Sequence, residues 1–265
     1  MKDSPRRDSG RLMLISPERV FYAGLLGRPR QRISGDYNFY ASLQGELTIV
    51  EGGSKRAGEF AALPPYAAHC IASEFPFVIC VVVEPETVEP RAMQRLVSRL
   101  GGSDGAIFAA RARAAYQELR RERRDGFTTA EFDRLLFGEV VPERKVDARV
   151  RRVAALLSNF SGSRTSAADC ATVVGLSRSR LLHLFKDETG VPFREYRAWK
   201  RARHLLHFVN EDFNLAHLAQ DMGYPDSTHF SHSIRRFYGL KPRAIFSGSR
   251  DLAIYRSSET SGFRV

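Results

Sequence analysis

Within residues 173–186, reading VVGLSRSRLLHLFK, the polar side chains Arg178, Ser179, His183 and Lys186 recur at helical spacing, while Leu181, Leu184 and Phe185 gather on the opposite side. Hydroxyl, imidazole, guanidinium and ammonium groups on one helical face have the chemistry of hydrogen bonding to base edges and of neutralising phosphates, not of making bonds. Ser177 stands where an N-cap would open the helix, and Gly175 where a tight turn would precede it. The stretch predicts a helix-turn-helix, the unit that offers its second helix to a DNA major groove. Catalysis at a metal would need three or four converging donors. Residues 1–146 hold one histidine, His69, so no metal site and no cofactor is expected there; His69 is the one candidate for a contact with a small ligand. His204 and His207 lie one turn apart without a third donor and read as packing and surface residues.

A second copy of the unit follows the first. Ala171-Thr172-Val173-Val174-Gly175 matches Ala219-Gln220-Asp221-Met222-Gly223 at an offset of 48 residues. Beyond the turn the offset is 49, pairing Leu181 with Phe230, Phe185 with Ile234, Lys186 with Arg235 and Gly190 with Gly239. A proline follows each closing glycine, at Pro192 and Pro242. Between the copies, residues 195–209 predict a helix of about 20 Å at 1.5 Å per residue. Its inward side is Tyr196, Trp199, Ala202, Leu205, Leu206 and Val209, and its outward side Arg197, Lys200, Arg201 and Arg203. A rod of that length would hold two recognition helices so that both enter successive major grooves on one face of the duplex.

In the first recognition helix, Ser179, Leu182 and His183 are placed to meet base edges; in the second, Ser227, Thr228, His229 and His232 are. Arg178, Arg180, Lys186, Arg235 and Arg236 suit phosphates. Asp226 is the expected N-cap of the second helix. These residues, in VVGLSRSRLLHLFKDETGVPFREYR and LAQDMGYPDSTHFSHSIRRFYGLKP, make the C-terminal part similar to the DNA-binding domain of AraC/XylS-type bacterial transcriptional regulators. The resemblance implies two helix-turn-helix units reading an asymmetric site in double-stranded DNA, near a promoter where RNA polymerase is contacted, and thus an activator. His183 and His232 depart from it, standing at equivalent places where many relatives carry arginine, and Ile234 stands where phenylalanine is usual.

The elements that must position these residues follow from composition. The chain has 265 residues and a net charge of +11. The excess is uneven: residues 1–146 carry 22 Lys/Arg against 19 Asp/Glu, and residues 147–256 carry 18 against 10, so the basic half coincides with the repeat. Cys70, Cys80 and Cys170 lack CxxC spacing and are read as reduced thiols. No apolar run reaches a membrane span, and the first residues lack the apolar stretch of a signal peptide, so a cytoplasmic protein, at the nucleoid when bound to DNA, is expected.

Residues 1–10 are polar and read as a disordered tail. Residues 11–85 alternate short β-rich runs such as RLMLI and FVICVVV with turn residues, the pattern of a sandwich or small barrel. Gly45-Glu46, and Pro64-Pro65 before His69, resemble the second half of a cupin jelly roll, the sensor domain that many AraC-type regulators carry. Residues 86–140 turn helical and would either dimerise or cover the barrel; residues 141–146 form a linker, 147–248 the all-α DNA-binding domain and 249–265 a C-terminal tail. The expected fold class is therefore α+β with two domains.

The leading reading is a DNA-binding regulator, not an enzyme, forming a homodimer and answering to a small effector at the N-terminal domain. One alternative is an effector-independent regulator whose N-terminal half only dimerises or binds protein; another is a cupin-type enzyme with a DNA-binding tail. An imidazole beside phosphates can gain a proton near neutral pH, so specific DNA binding is expected to strengthen as pH falls from about 8 to about 6. Titrating binding across that range tests this: the His183→Gln/His232→Gln double variant should lose the trend, and a trend that survives in it refutes the assignment.

Overall fold

The computed structural model describes residues 10–122, 125–158 and 166–258, so the expectations for residues 1–9 and 259–265 fall outside it. Eight strands open the chain: β1 (Leu12–Ile15), β2 (Arg19–Leu25), β3 (Tyr37–Ser42), β4 (Leu47–Glu51), β5 (Ser54–Gly58), β6 (Phe60–Leu63), β7 (His69–Ser73) and β8 (Phe77–Val83). A ninth, β9 (Ala253–Arg256), arrives from the far end of the chain. They make a six-stranded sheet, β6-β3-β8-β2-β1-β9, and a three-stranded sheet, β5-β4-β7. All pairs are antiparallel except β1 with β9, which run parallel with Leu12 opposite Ala253. Within the stretch 249–265, expected as a tail, residues 253–256 thus supply an edge strand to the N-terminal sheet. Among the described residues no helix is long and apolar enough to cross a membrane.

The unbroken apolar runs of β1, β2 and β8 have a simple cause: both faces of their sheet are buried. Side chains alternate, so Leu12, Leu14, Phe21, Ala23, Ile79, Val81 and Val83 point to one face while Met13, Ile15, Val20 and Val82 point to the other. The first face is covered by α1 (Pro90–Leu100), α2 (Gly105–Arg121) and α3 (Thr129–Phe137), through Met93, Leu96, Phe108, Ala112, Phe132 and Leu136. Thr128 and Glu131 form a reciprocal capping box that starts α3. A buried ion pair ties the layers: Arg19 Nε and Nη2 donate to the two carboxylate oxygens of Asp133 at 2.8 and 3.1 Å.

The C-terminal helices are α4 (Ala148–Ser158), α5 (Ala167–Val173), α6 (Arg178–Thr189), α7 (Phe193–His204), α8 (Leu215–Asp221), α9 (Ser227–Tyr238) and α10 (Pro242–Ser249). The linking helix is shorter than predicted. α7 ends at His204 and continues as a 3₁₀ turn, Leu205–His207. Two residues assigned outward, Lys200 and Arg203, are instead buried, 3% and 5% exposed. They surround Glu84, which leaves the end of β8 with no exposed surface. Glu84 accepts from Lys200 Nζ at 2.8 Å, Arg203 Nε at 3.1 Å and Trp199 Nε1 at 3.1 Å. Lys200 also pairs with Glu86, and Arg203 Nη2 donates to the carbonyl of Ser16 at 2.9 Å. Burial would raise the Glu84 carboxyl, but the adjacent Lys200 and Arg203 outweigh it and hold the group below its ordinary range.

Around this cluster the domains share one core. Met13, Ile15, Val20 and Val82 of the sheet pack with Trp199, Phe230, Ile234 and Phe237 of the C-terminal helices. Removing the carboxylate would leave the buried Arg203 guanidinium without its counter-charge and Lys200 with Glu86 alone, a loss of roughly 3–5 kcal/mol. Glu84→Ala is therefore expected to lower the chemical-denaturation midpoint sharply, whereas Glu59→Ala, which removes a partly exposed ion pair with Arg113, should barely move it. Equal effects of the two substitutions would show that the Glu84 cluster does not hold the domains together.

Candidate nucleic-acid interface and the cavity behind it

Both helix-turn-helix units form, and they are built alike. α5 and α8 have seven residues each, and α6 and α9 twelve. The turns pass through Gly175 and Gly223, both left-handed at φ 65° and 71°. Ser177 opens α6 by accepting from the Arg180 amide at 3.3 Å; Asp226 opens α9 by accepting from the Thr228 and His229 amides, each at 2.8 Å. Leu181 and Phe185 in one unit, and Phe230, Ile234 and Phe237 in the other, are buried. The remaining faces turn outward as helical periodicity requires.

Of the residues assigned to base edges, Ser179, His183, Ser227, Thr228, His229 and His232 are exposed, and Leu182 is half-buried against the core of its own unit. His229 is oriented: its Nδ1 lies 2.8 Å from the Asp226 carboxylate, which leaves Nε2 to face solvent. Of the residues assigned to phosphates, Arg178, Arg180, Lys186 and Arg235 are exposed. Arg236 is exposed as well but donates to Glu195 of α7 at 2.6 Å, so a phosphate would have to displace that surface pair.

His69 lies elsewhere. It is 2% exposed, and burial drives its imidazole down to about 4, so it is neutral. Its Nδ1 donates to the Ala67 carbonyl at 2.9 Å and its Nε2 accepts from the Tyr40 hydroxyl at 3.3 Å. With both nitrogens engaged it is a wall residue one shell behind the space that the structure offers a ligand. His204 is likewise buried, its ring 5.5 Å from that of His207. Among the described residues no group of three His, Cys, Asp or Glu side chains could hold a metal ion.

That space is a cavity of about 520 Å³ between the second face of the six-stranded sheet and the second helix-turn-helix unit. Met13, Tyr22, Val82, Trp199, Leu206 and Phe237 give it apolar walls, and Arg32, Asp36, Asn38 and Tyr40 a polar patch. Within the patch, Nε and Nη2 of Arg32 are buried with no hydrogen-bond partner. An unpartnered guanidinium edge beside an apolar space carries a desolvation cost that a carboxylate brought within reach would relieve. The exposed lining residues Arg28, Arg30, Arg235 and Lys241 set the mouth. Sequence reasoning missed this site, for which the only local signal was the basic run Arg28, Arg30 and Arg32.

Residues 170–247 match a protein-family model described as a helix-turn-helix domain. The chain is 33% identical over 115 residues to the transcriptional activator RhaS of Escherichia fergusonii, covering 42% of this chain and 40% of RhaS. It is 26% identical over 210 residues to the transcriptional activator RhrA of Rhizobium meliloti, covering 74% of this chain and 60% of RhrA. The chain thus spans less than two thirds of the length of these relatives. Its fold is that of ToxT from Vibrio cholerae: a structure of ToxT with a bound unsaturated fatty acid superposes with a TM-score of 0.51 at 12% identity, covering 88% of this chain and 96% of that one.

Asp36 makes the cavity sensitive to pH. Burial first, and then the negative charge of Glu84, push its carboxyl up to about 7. In the unfolded chain an aspartate ionises near 4. Between about pH 4 and 7 the folded chain therefore holds one proton more at this site, and its contribution to stability falls as pH rises across that window. Asp36→Asn, which cannot ionise, should raise the melting temperature relative to the wild type near pH 8 and not near pH 4; an offset independent of pH would overturn this account.

Proposed function

We propose, from the helix-turn-helix domain that residues 170–247 match and the resemblance of its doubled motif to AraC/XylS-type regulators, that this chain is a sequence-specific transcription regulator whose two recognition helices enter successive major grooves. The observation that carries this reading is the pair of helix-turn-helix units of equal helix lengths, both joined to α7, each with an exposed face of hydroxyl, imidazole and guanidinium groups. Arg178, Arg180, Lys186 and Arg235 hold phosphates and set register, while Ser179, His183, Ser227, Thr228, His229 and His232 read base edges. The activity consists of binding: a homodimer on DNA activates transcription by touching RNA polymerase.

The effector is an amphipathic carboxylate seated in the inter-domain cavity, not in the N-terminal domain alone. The fatty acid bound to ToxT supports this class, as do the apolar walls and the orphaned edge of Arg32. A ligand there touches both the sheet and the helices that carry α9, so its affinity differs between arrangements of the two, as any effector requires.

Selection of duplexes from a random library by the full chain tests the reading. A bipartite motif with half-sites about one helical turn apart is expected, with His183→Ala erasing one half and His232→Ala the other. In the same preparation, a long-chain unsaturated fatty acid should raise the melting temperature, its methyl ester should not, and Arg32→Ala should abolish the shift. Absence of an enriched motif would refute the DNA reading, and equal shifts with acid and ester would refute the carboxylate assignment.

A further inference from the structure

The segment between β2 and β3 carries Gly27-Arg28-Pro29-Arg30-Gln31-Arg32 and belongs to the N-terminal domain, yet it abuts the end of the second recognition helix. Its base is anchored in that domain. Leu26 N donates to the Pro76 carbonyl at 2.9 Å, and Arg32 and His69 exchange backbone hydrogen bonds at 2.9 and 3.1 Å. Its far side meets α9: Ile33 N donates to the Arg236 carbonyl at 3.0 Å. Gly239, which ends α9, comes so near that a Cβ there would lie 3.2 Å from the carbonyl of Arg30 and 3.3 Å from that of Gln31. Pro29 fixes its own φ and so stiffens the segment.

Arg28 and Arg30 are exposed, and among the described residues neither has a carboxylate or other hydrogen-bond partner. They share the cavity mouth with Arg235 and Lys241. Arg235 stands seven residues after Thr228 and three after His232, on the face of α9 that points away from its core. The cations of the loop are therefore continuous with the outward face of the second recognition helix. Like charges gathered without an anion repel one another, and a polyanion laid across them relieves that repulsion while releasing its own counterions.

We infer that this loop is part of the DNA interface: Arg28 and Arg30 neutralise backbone phosphates flanking the half-site read by α9, so that the duplex is gripped by both domains. The inference rests on the DNA-binding reading above and assigns the N-terminal domain a contact of its own. Such contacts carry no base information, so they add affinity and salt dependence and leave sequence preference alone.

The test uses ligand-free full chain and the duplex enriched by selection. Arg28→Gln/Arg30→Gln should retain the selected motif and the melting temperature. Its plot of log affinity against log salt should be shallower by about 1.8, since each lost phosphate contact contributes about 0.9. The advantage of the wild type should then shrink about twelve-fold between roughly 50 and 200 mM salt. Hydroxyl-radical protection should disappear only outside the α9 half-site, and Arg28→Lys/Arg30→Lys should restore slope and protection, because a phosphate needs the charge and not the guanidinium fork. An unchanged slope and footprint in a chain that binds its motif would overturn the loop contact alone, as would a slope change that lysine fails to rescue. A wild-type chain with no sequence preference would instead bring down the DNA reading, and this contact with it.

Discussion

A single carboxylate with no exposed surface, Glu84, sets the arrangement of this molecule. It ends the central strand of the larger sheet and is met from the other domain by an ammonium, a guanidinium and an indole N–H. Desolvating three charges is costly, and the geometry offsets that cost only because every donor finds an oxygen and Arg203 also reaches the Ser16 carbonyl. α7 is thereby seated on the sheet by charge as well as by apolar contact. The apolar side chains around the cluster then close over it, joining Met13, Ile15 and Val20 to Trp199 and Phe237 in one core.

The two helix-turn-helix units are alike in themselves and unlike in how they are held. The second is fused to the sheet: its core residues Phe230, Ile234 and Phe237 are continuous with the outer face of β1, β2 and β8, and the chain after α10 returns to the sheet as β9. The first keeps a separate core of Val150, Val153, Leu181 and Phe185, closed by Phe193 and Tyr196 at the start of α7. Among the described residues its ties to the N-terminal half are polar: Tyr196 donates to Glu86 at 2.8 Å, and the connection after α3 reaches it through the Arg144 side chain on the Glu188 carbonyl and the Asp147 amide on the Glu188 carboxylate, the latter at 2.9 Å. The cavity follows this asymmetry, since its walls come from the sheet, α7, the second unit and α10, and not from α4, α5 or α6. The cavity therefore borders one recognition helix and is joined to the other unit through α7.

Behind the cavity wall the buried charges are paired. Glu84 and Glu86 offset Lys200 and Arg203, so an ionised Asp36 would be a surplus negative charge at a buried position, and it holds its proton to about pH 7. Asp36 is instead satisfied by the Asn38 amide, which donates to its Oδ1 at 2.7 Å. Arg32, on the same lining, keeps an unsatisfied edge.

By itself the sequence determined whatever rests on local periodicity and turn chemistry. The doubled Ala-x3-Gly turn, the caps Ser177 and Asp226, the outward faces of both recognition helices and the strand-then-helix order of the N-terminal half were all legible, because backbone geometry and solvent alone dictate them. Tertiary structure decided everything that depends on residues far apart in the chain. Lys200 and Arg203 read as surface cations, since helical spacing cannot show a carboxylate that stands more than a hundred positions earlier. Residues 253–256 read as a tail, since nothing local marks a strand that pairs with one at the opposite end of the chain. The cavity was invisible for the same reason. A void between a sheet face and a helical domain exists only once both are packed, and its key residues, Arg32 and Asp36, acquire their character from burial, which sequence spacing does not encode.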